Sequence, residues 1–437
     1  MYLEKEVESM CYTKQDIIEM VEEEDVEFIR LQFVDLFGTL KNLAVTTSQL
    51  EKVLAGHCKF DAGAIDGFMD ENLTELFLRP DLDSFTIFPW RPQQGKVARF
   101  LCDVVREDGT PFEGDSRCVL KRVVAKAKEL GYELEVGPLC EFFLFDQGEN
   151  GELTTKSSEM GSYFDLGPID HGENARREMV LFLEKMGFEV ESSFHAAARA
   201  QHGIVFKYDN ALKTADNILT YKLVIHTAAK RHGFHASFMP KPTYGMDGSG
   251  MHLSFFIKKD GNNIFQDGEG GEPSEAAKSF IAGIMEHIEG MSLINNPIIN
   301  SYKRLVPGYN APVMVDYAEG SQNALLRFHR GASGNAWVKL RSPDSAANPY
   351  LCLAVCLAAG LHGMERKLTL PSGGKDAQKA LPPTLEDAIR AFEKDCFIQG
   401  ILGEYISEKY MEKKKEEWNE YCKQITRWEI EQYLYKI

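Results

Sequence analysis

The sequence predicts an α+β protein, and three observations carry that prediction. Strands recur at irregular spacing, of period 2 in FIRLQFVDL (28–36) and MHLSFF (251–256) and as a strong apolar run in VARFLCDVV (97–105). Long helical runs separate them without the regular alternation of βαβ units. No GxGxxG or Walker-type loop is present, which argues against a nucleotide-binding parallel sheet. The 437 residues allow one to three domains, and 44% hydrophobic with 26% charged residues is a globular composition. A net charge of −17 argues against nucleic acid and anionic membrane surfaces as partners. Nine cysteines without a CxxC pair, behind a start (MYLEKEVE) that is not a secretory leader, fit a reducing cytoplasm. No apolar run reaches the roughly 18 residues of a membrane span.

In chain order, Thr13 with Asp16 opens a helix to about Asp25 on a capping-box pattern. Phe28 to Leu36 and KNLAVT form two strands turned at Gly38. Ser48 with Glu51 caps a further helix, and 59–68 reads as a Gly/Ala-rich loop carrying Asp61 and Asp66. The strand 97–105 precedes a turn-rich linker, so a boundary falls near residue 106. Residues 1–105 then form a small sheet domain, and 106–437 a larger one. Asp115 and Ser116 cap a helix ending at Gly131. On the strand 137–145, Leu139, Glu141 and Phe143 share a face, so Glu141 needs a cation. A helix at 173–187 is followed by strands at 189–194 and 201–208, which hold His195 and His202 near a loop. Lone histidines of that kind are ordinarily core or surface groups. Helices cover 215–232 and 274–290, and SYKRLVPGYNAP (301–312) reads as extended. RSPDSAANPY (341–350) feeds an Ala/Leu helix in which Cys352 and Cys356 pack the core. Gly373 and Gly374 mark a connection. The chain from Thr384 is helical, with EKYMEKKKEEW a solvated face.

The stretch GMDGSGMHLSFF (245–256) organises the rest: a loop only small residues can follow, then a strand carrying His252. That arrangement sets a backbone and an imidazole beside a ligand.

RLQFVDLFGTLKN, PFEGDSR, GPLCEFFLF, GSYFDLGPIDHGEN, FMPKPTYGMDGSGMH, SYKRLVPGYNAP and SPDSAANPYL together resemble type I glutamine synthetases, nearly end to end. The resemblance implies an N-terminal β-grasp domain and a catalytic domain with a curved antiparallel sheet. It implies two stacked hexameric rings with active sites shared between subunits. It also implies ATP and Mg²⁺ or Mn²⁺, used to join ammonia to glutamate through a γ-glutamyl phosphate.

The departures cluster at the chemistry. In the family five glutamates and one histidine hold the ions; Glu141 and His252 match two of these six positions. The others are Leu139, Ala196, Gly203 and Lys339. Hard divalent ions want about six oxygen ligands, so no tightly bound cofactor is expected. The flap glutamate is Asn310, and Gln322, Ala332 and Trp337 stand where arginines grip phosphate and nucleotide. Phe256 replaces a small serine near adenine. Asp61 matches the ammonium-site aspartate, while Arg304, Arg341, Gly248 and His252 match the glutamate-binding set, with Asp247 for an asparagine. The lost carboxylates and the lost ions roughly cancel in charge, and Lys339 is expected to pair with Glu141 in the metal's place. The sequence therefore predicts a homologue defective in glutamine synthesis, with a regulatory or paralogue-associated role. The rival expectation is an ATP-dependent glutamate–ammonia or γ-glutamyl–amine ligase.

Overall fold

The structure, a computed structural model, describes residues 11–68, 75–91, 94–148, 150–266, 272–319, 324–331, 335–370 and 379–437. Gln322, Ala332 and the Gly373–Gly374 connection lie outside them.

Two sheets form an α+β architecture. In the first, Val26–Val34 pairs antiparallel with Leu40–Thr46 and parallel with Lys96–Val105, which continues through Glu75–Pro80 to Cys58–Asp61. The helix Lys14–Glu23 starts on the expected capping box of Thr13 and Asp16. It buries Ile17 and Val21 in this sheet's core.

The second sheet is built on Tyr132–Asp146, flanked antiparallel by Met251–Lys259 and Gln201–Phe206. It extends through Ala336–Leu340, Leu326–Arg330 and Tyr317–Glu319 on one side, and to Val190–His195 on the other. Alternation fixes its two faces. Met251, Leu253 and Phe255 are buried, in a core that includes the helices Ala211–Arg231, Glu275–Asn295 and Pro349–Arg366. His252, Ser254 and Phe256 alternate with them, so the other face is left for a site.

Several expectations change. Part of the 59–68 loop is the strand Cys58–Asp61. The helix Leu50–Leu54 has no side-chain cap, because Ser48 bonds Thr46 instead. SYKR is a short helix, Ser301–Arg304, rather than extended chain. Three strands between 317 and 340, Tyr317–Glu319, Leu326–Arg330 and Ala336–Leu340, add to the elements expected from the sequence. The solvated C-terminal helix, Glu404–Tyr421, buries Lys414 over the Phe37 ring at 5.0 Å, its ammonium paired with Glu417. One buried cation joins the two sheets: Arg117 meets Asp81 at 2.6 Å, Asp103 at 2.7 Å and Asp216 at 2.8 Å. Among the described residues, no helix is long and apolar enough to cross a membrane.

Candidate active site

The open face of the larger sheet holds a cavity of about 330 Å³, lined by Leu139, Glu141, Asp247, Gly248, His252, Arg304, Asn310, Arg327 and Arg341 with Tyr163, Phe194, Ala197 and Gln201. Eight of the positions singled out in the sequence converge here, Leu139, Glu141, Asp247, Gly248, His252, Arg304, Asn310 and Arg341, from the central strand, the glycine loop and the strand after it, the helix 301–304, the 307–310 turn and the segment after Leu340.

Glycine makes the convergence possible. A Cβ on Gly248 would stand 2.2 Å from the Pro240 carbonyl, and one on Gly250 2.5 Å from Arg304 Nη2. With no Cβ there, the Gly250 N–H donates to Glu141 Oε2 at 2.9 Å. Burial raises the Glu141 pKa; the Gly250 bond, Arg304 and Arg341 oppose that shift, and Asp247 adds to it. Burial, then Lys339, Arg341, Arg304 and Arg327, hold His252 well below the usual histidine range. Its ring is therefore neutral at physiological pH. Arg304 is buried and donates to the carbonyls of Ser342 (2.7 Å) and Arg341 (2.9 Å). Burial first, and the neighbouring Arg327 and Arg304, lower the Arg341 pKa to about 10.

The turn at 307–310 is tied down over this cavity. Asn310 donates from its backbone N–H to Asp247 Oδ1 at 3.2 Å and from Nδ2 to Oδ2 at 2.8 Å. Arg341 Nη2 donates to the Asn310 carbonyl at 2.9 Å, and Lys241 Nζ lies 3.2 Å from the Tyr309 ring centroid.

The replaced ligand positions explain themselves sterically. Leu139 presents an apolar wall. Ala196 is buried, and a Cβ on Gly203 would lie 2.7 Å from the Phe194 ring, so the aromatic occupies that space. The expected Lys339–Glu141 pair does not form; among the described residues Lys339 has no ion pair. Lys339 is in register with Ser254, which faces Gly137, four residues before Glu141. At about 3.3 Å per residue that is ~13 Å along the strand, beyond a lysine's reach. Asp61 is not brought here: it ends a strand of the first sheet, exposed, accepting from the Gly63 N–H at 2.9 Å. Phe256 stacks on Tyr208 at 4.4 Å and meets Trp337 at 5.7 Å, and Trp337 stacks on His329 at 5.3 Å.

Sequence reasoning missed Arg327, although LRFHR (326–330) alternates and flags a strand. It also missed the company kept by His195 and His202, which are in register on adjacent strands. With Glu159 and Asp170 they place four candidate ligand atoms within 4.8 Å of one another, all on buried residues. Arg176 already supplies a cation, donating to Asp170 at 2.6 Å and to His202 Nδ1 at 2.9 Å. His195 Nε2 lies 2.7 Å from Glu159 Oε1. A second buried group, Asp103, Asp115 and Cys118, likewise has Arg117 and Lys121 on Asp103.

A β-grasp sheet joined to a curled, largely antiparallel sheet, with a cavity on its open face, makes a two-part α+β fold. The family model for the glutamine synthetase β-grasp domain matches residues 25–107, and that for the glutamine synthetase catalytic domain matches 113–433. The chain belongs to the glutamine synthetase family. It is 50% identical over 439 residues to the glutamine synthetase of Clostridium saccharobutylicum, covering 97% of this chain and 99% of that one. It is 44% identical over 439 residues to that of Staphylococcus aureus strain N315, covering 97% and 98%. A solved structure described as a GmaS/ADP complex superposes with a TM-score of 0.87 at 29% identity, covering 96% and 99%.

Proposed function

We propose that this chain is a family member that binds an amino acid in the cavity and acts by binding or regulation, alone or beside an intact paralogue, rather than by making glutamine. The donor set carries the reading. One carboxylate and one neutral imidazole remain at the six ion-holding positions, and three arginines line the same cavity. Divalent ions need more oxygen than this, so the residues do not fit Mg²⁺ or Mn²⁺. The Tyr208–Phe256–Trp337–His329 stack fills ground that a nucleotide base would need, which supports weak or absent ATP binding. A cytoplasmic homo-oligomer of two stacked hexameric rings, without nucleic-acid or membrane partners, completes the proposal.

A second reading has its own support: a relative at 50% identity is named glutamine synthetase, and the GmaS structure holds ADP. It would make this chain an ATP-dependent glutamate–ammonia or γ-glutamyl–amine ligase. A coupled assay of ATP hydrolysis and glutamine formation, at saturating Mg²⁺ or Mn²⁺, separates the two. Metal and oxyanion stabilisation are each worth several kcal/mol of barrier, so no turnover is expected. Glutamine formation near the ordinary enzyme rate of about 1 s⁻¹ would establish the second reading instead.

A further inference from the structure

We propose that His287 and His362 are the two protein ligands of a transition-metal site for a borderline divalent ion such as Zn²⁺, with Asp395 as the positioning residue that orients His287. The site lies among the helices on the closed side of the larger sheet, and neither histidine lines the open-face cavity. It does not depend on the amino-acid reading. Three observations carry it.

The first is a chain of hydrogen bonds whose hydrogens can be assigned. His287, on the helix Glu275–Asn295, has Nδ1 2.9 Å from Asp395 Oδ2. Its Nε2 is 3.0 Å from Nδ1 of His362, on the helix Pro349–Arg366. Burial opposes a charge on Asp395, but the hydrogen bonds from His287 and the Ile398 N–H outweigh it and lower its pKa. An ionised carboxylate only accepts, so His287 Nδ1 carries the hydrogen and Nε2 of the neutral ring is bare. A carboxylate on one imidazole nitrogen, with a lone pair on the other, is how metal-ligating histidines are oriented.

The second is spacing. Zn–N bonds of about 2.0–2.1 Å at a tetrahedral angle set two ligand nitrogens about 3.4 Å apart. The two ring nitrogens, 3.0 Å apart, are already close to that separation. An ion replaces the hydrogen between them after a small turn of each ring, and that hydrogen passes to His362 Nε2. The third is a firm wall on one side and room on the other. The Phe397 ring stacks on His287 at 4.4 Å and on His362 at 4.3 Å. Asp395 is fitted against Gly290, where a Cβ would stand 2.6 Å from the Asp395 Cβ. Both histidines line a cavity of about 870 Å³, with Glu286 beside them, so water or a carboxylate oxygen can complete the coordination. Imidazole donors select Zn²⁺ and its neighbours over Mg²⁺.

Calorimetry with zinc chloride on the full-length protein tests the assignment, using His362→Asn and Asp395→Asn. Asparagine at 362 keeps an amide N–H near the present Nδ1 but offers no imidazole. Asparagine at 395 keeps the helix cap on Ile398 and removes the carboxylate. The parent should bind Zn²⁺ with micromolar affinity, and His362→Asn should weaken that at least about tenfold. Asp395→Asn should weaken it by about 10–100-fold while the metal-free melting temperature stays put, a split that a purely structural role would not give. Zn²⁺ should raise the melting temperature of the parent and not that of His362→Asn. Zinc-edge X-ray absorption on the parent needs no variant and should show two imidazole nitrogens with oxygen. Sulphur ligation there, unchanged affinity in His362→Asn, or no uptake by the parent at about 1 mM Zn²⁺ would each overturn the site. Unchanged affinity in Asp395→Asn would overturn the orienting role.

Discussion

Lys339 carries its charge among like charges. Burial, then Arg327 and Arg341, push its pKa down, and only Glu141 pulls the other way. From the sequence alone, Lys339→Glu should unfold a buried ion pair. The register reverses the sign, because the substitution removes one cation from beside two arginines. Lys339→Glu is therefore expected to melt no lower than the parent in EDTA. A drop of several degrees, the scale of about 1–2 kcal/mol, would show that Lys339 contributes an attraction after all. Residues inside long motifs, such as Glu141, His252, Arg304 and Arg341, were legible as one site because each motif fixes its own position. Lys339 was legible as a substitution but not as a neighbour. What it touches depends on the pairing of 336–340 with 251–259, a non-local fact that periodicity does not contain. Phe194 over Gly203 was hidden for the same reason.

The hairpin of Val190–His195 and Gln201–Phe206 is pinned to the segment before the helix Glu173–Lys185 through Glu159. Both ring nitrogens of His195 face acceptors, Glu159 Oε1 at 2.7 Å and the Ala196 carbonyl at 2.8 Å. Burial opposes a charge on the ring, but the Glu159 hydrogen bond and the Ala196 carbonyl outweigh it and raise the pKa above 6.5. A raised histidine pKa favours the folded state fully below the unfolded value of 6.5 and loses that contribution as pH rises through the folded value. His202 and His252 are pushed the opposite way and take up protons only below 6.5, so they do not act in this window. Melting temperature should therefore fall as pH rises above 6.5, and Glu159→Gln should flatten that slope. An identical slope in parent and variant would place the tie elsewhere. The strands of this hairpin were readable from their alternation. The bond between them and Glu159 was not, since 36 residues separate its ends.

At the scale of the molecule, the chain presents an unpartnered apolar end. The last helix, Arg427–Tyr433, leaves Trp428 60% and Tyr433 47% exposed, and Leu434 beyond it is 59% exposed. Surface of that kind is ordinarily covered by another protein. Light scattering should accordingly give a mass many times the 49.3 kDa chain, and a monomer mass at micromolar concentration would refute the ring. Arg117 has a different reach. Its partners Asp81 and Asp103 belong to the first sheet's segment, and Asp216 to a helix behind the second. A gene split anywhere between Val105 and Ser116 would therefore give one product with Asp81 and Asp103 deprived of their shared cation, and another whose guanidinium had lost two of its three carboxylates. The two halves of this protein can be recognised separately, but made apart each would lose charge partners that only the other supplies.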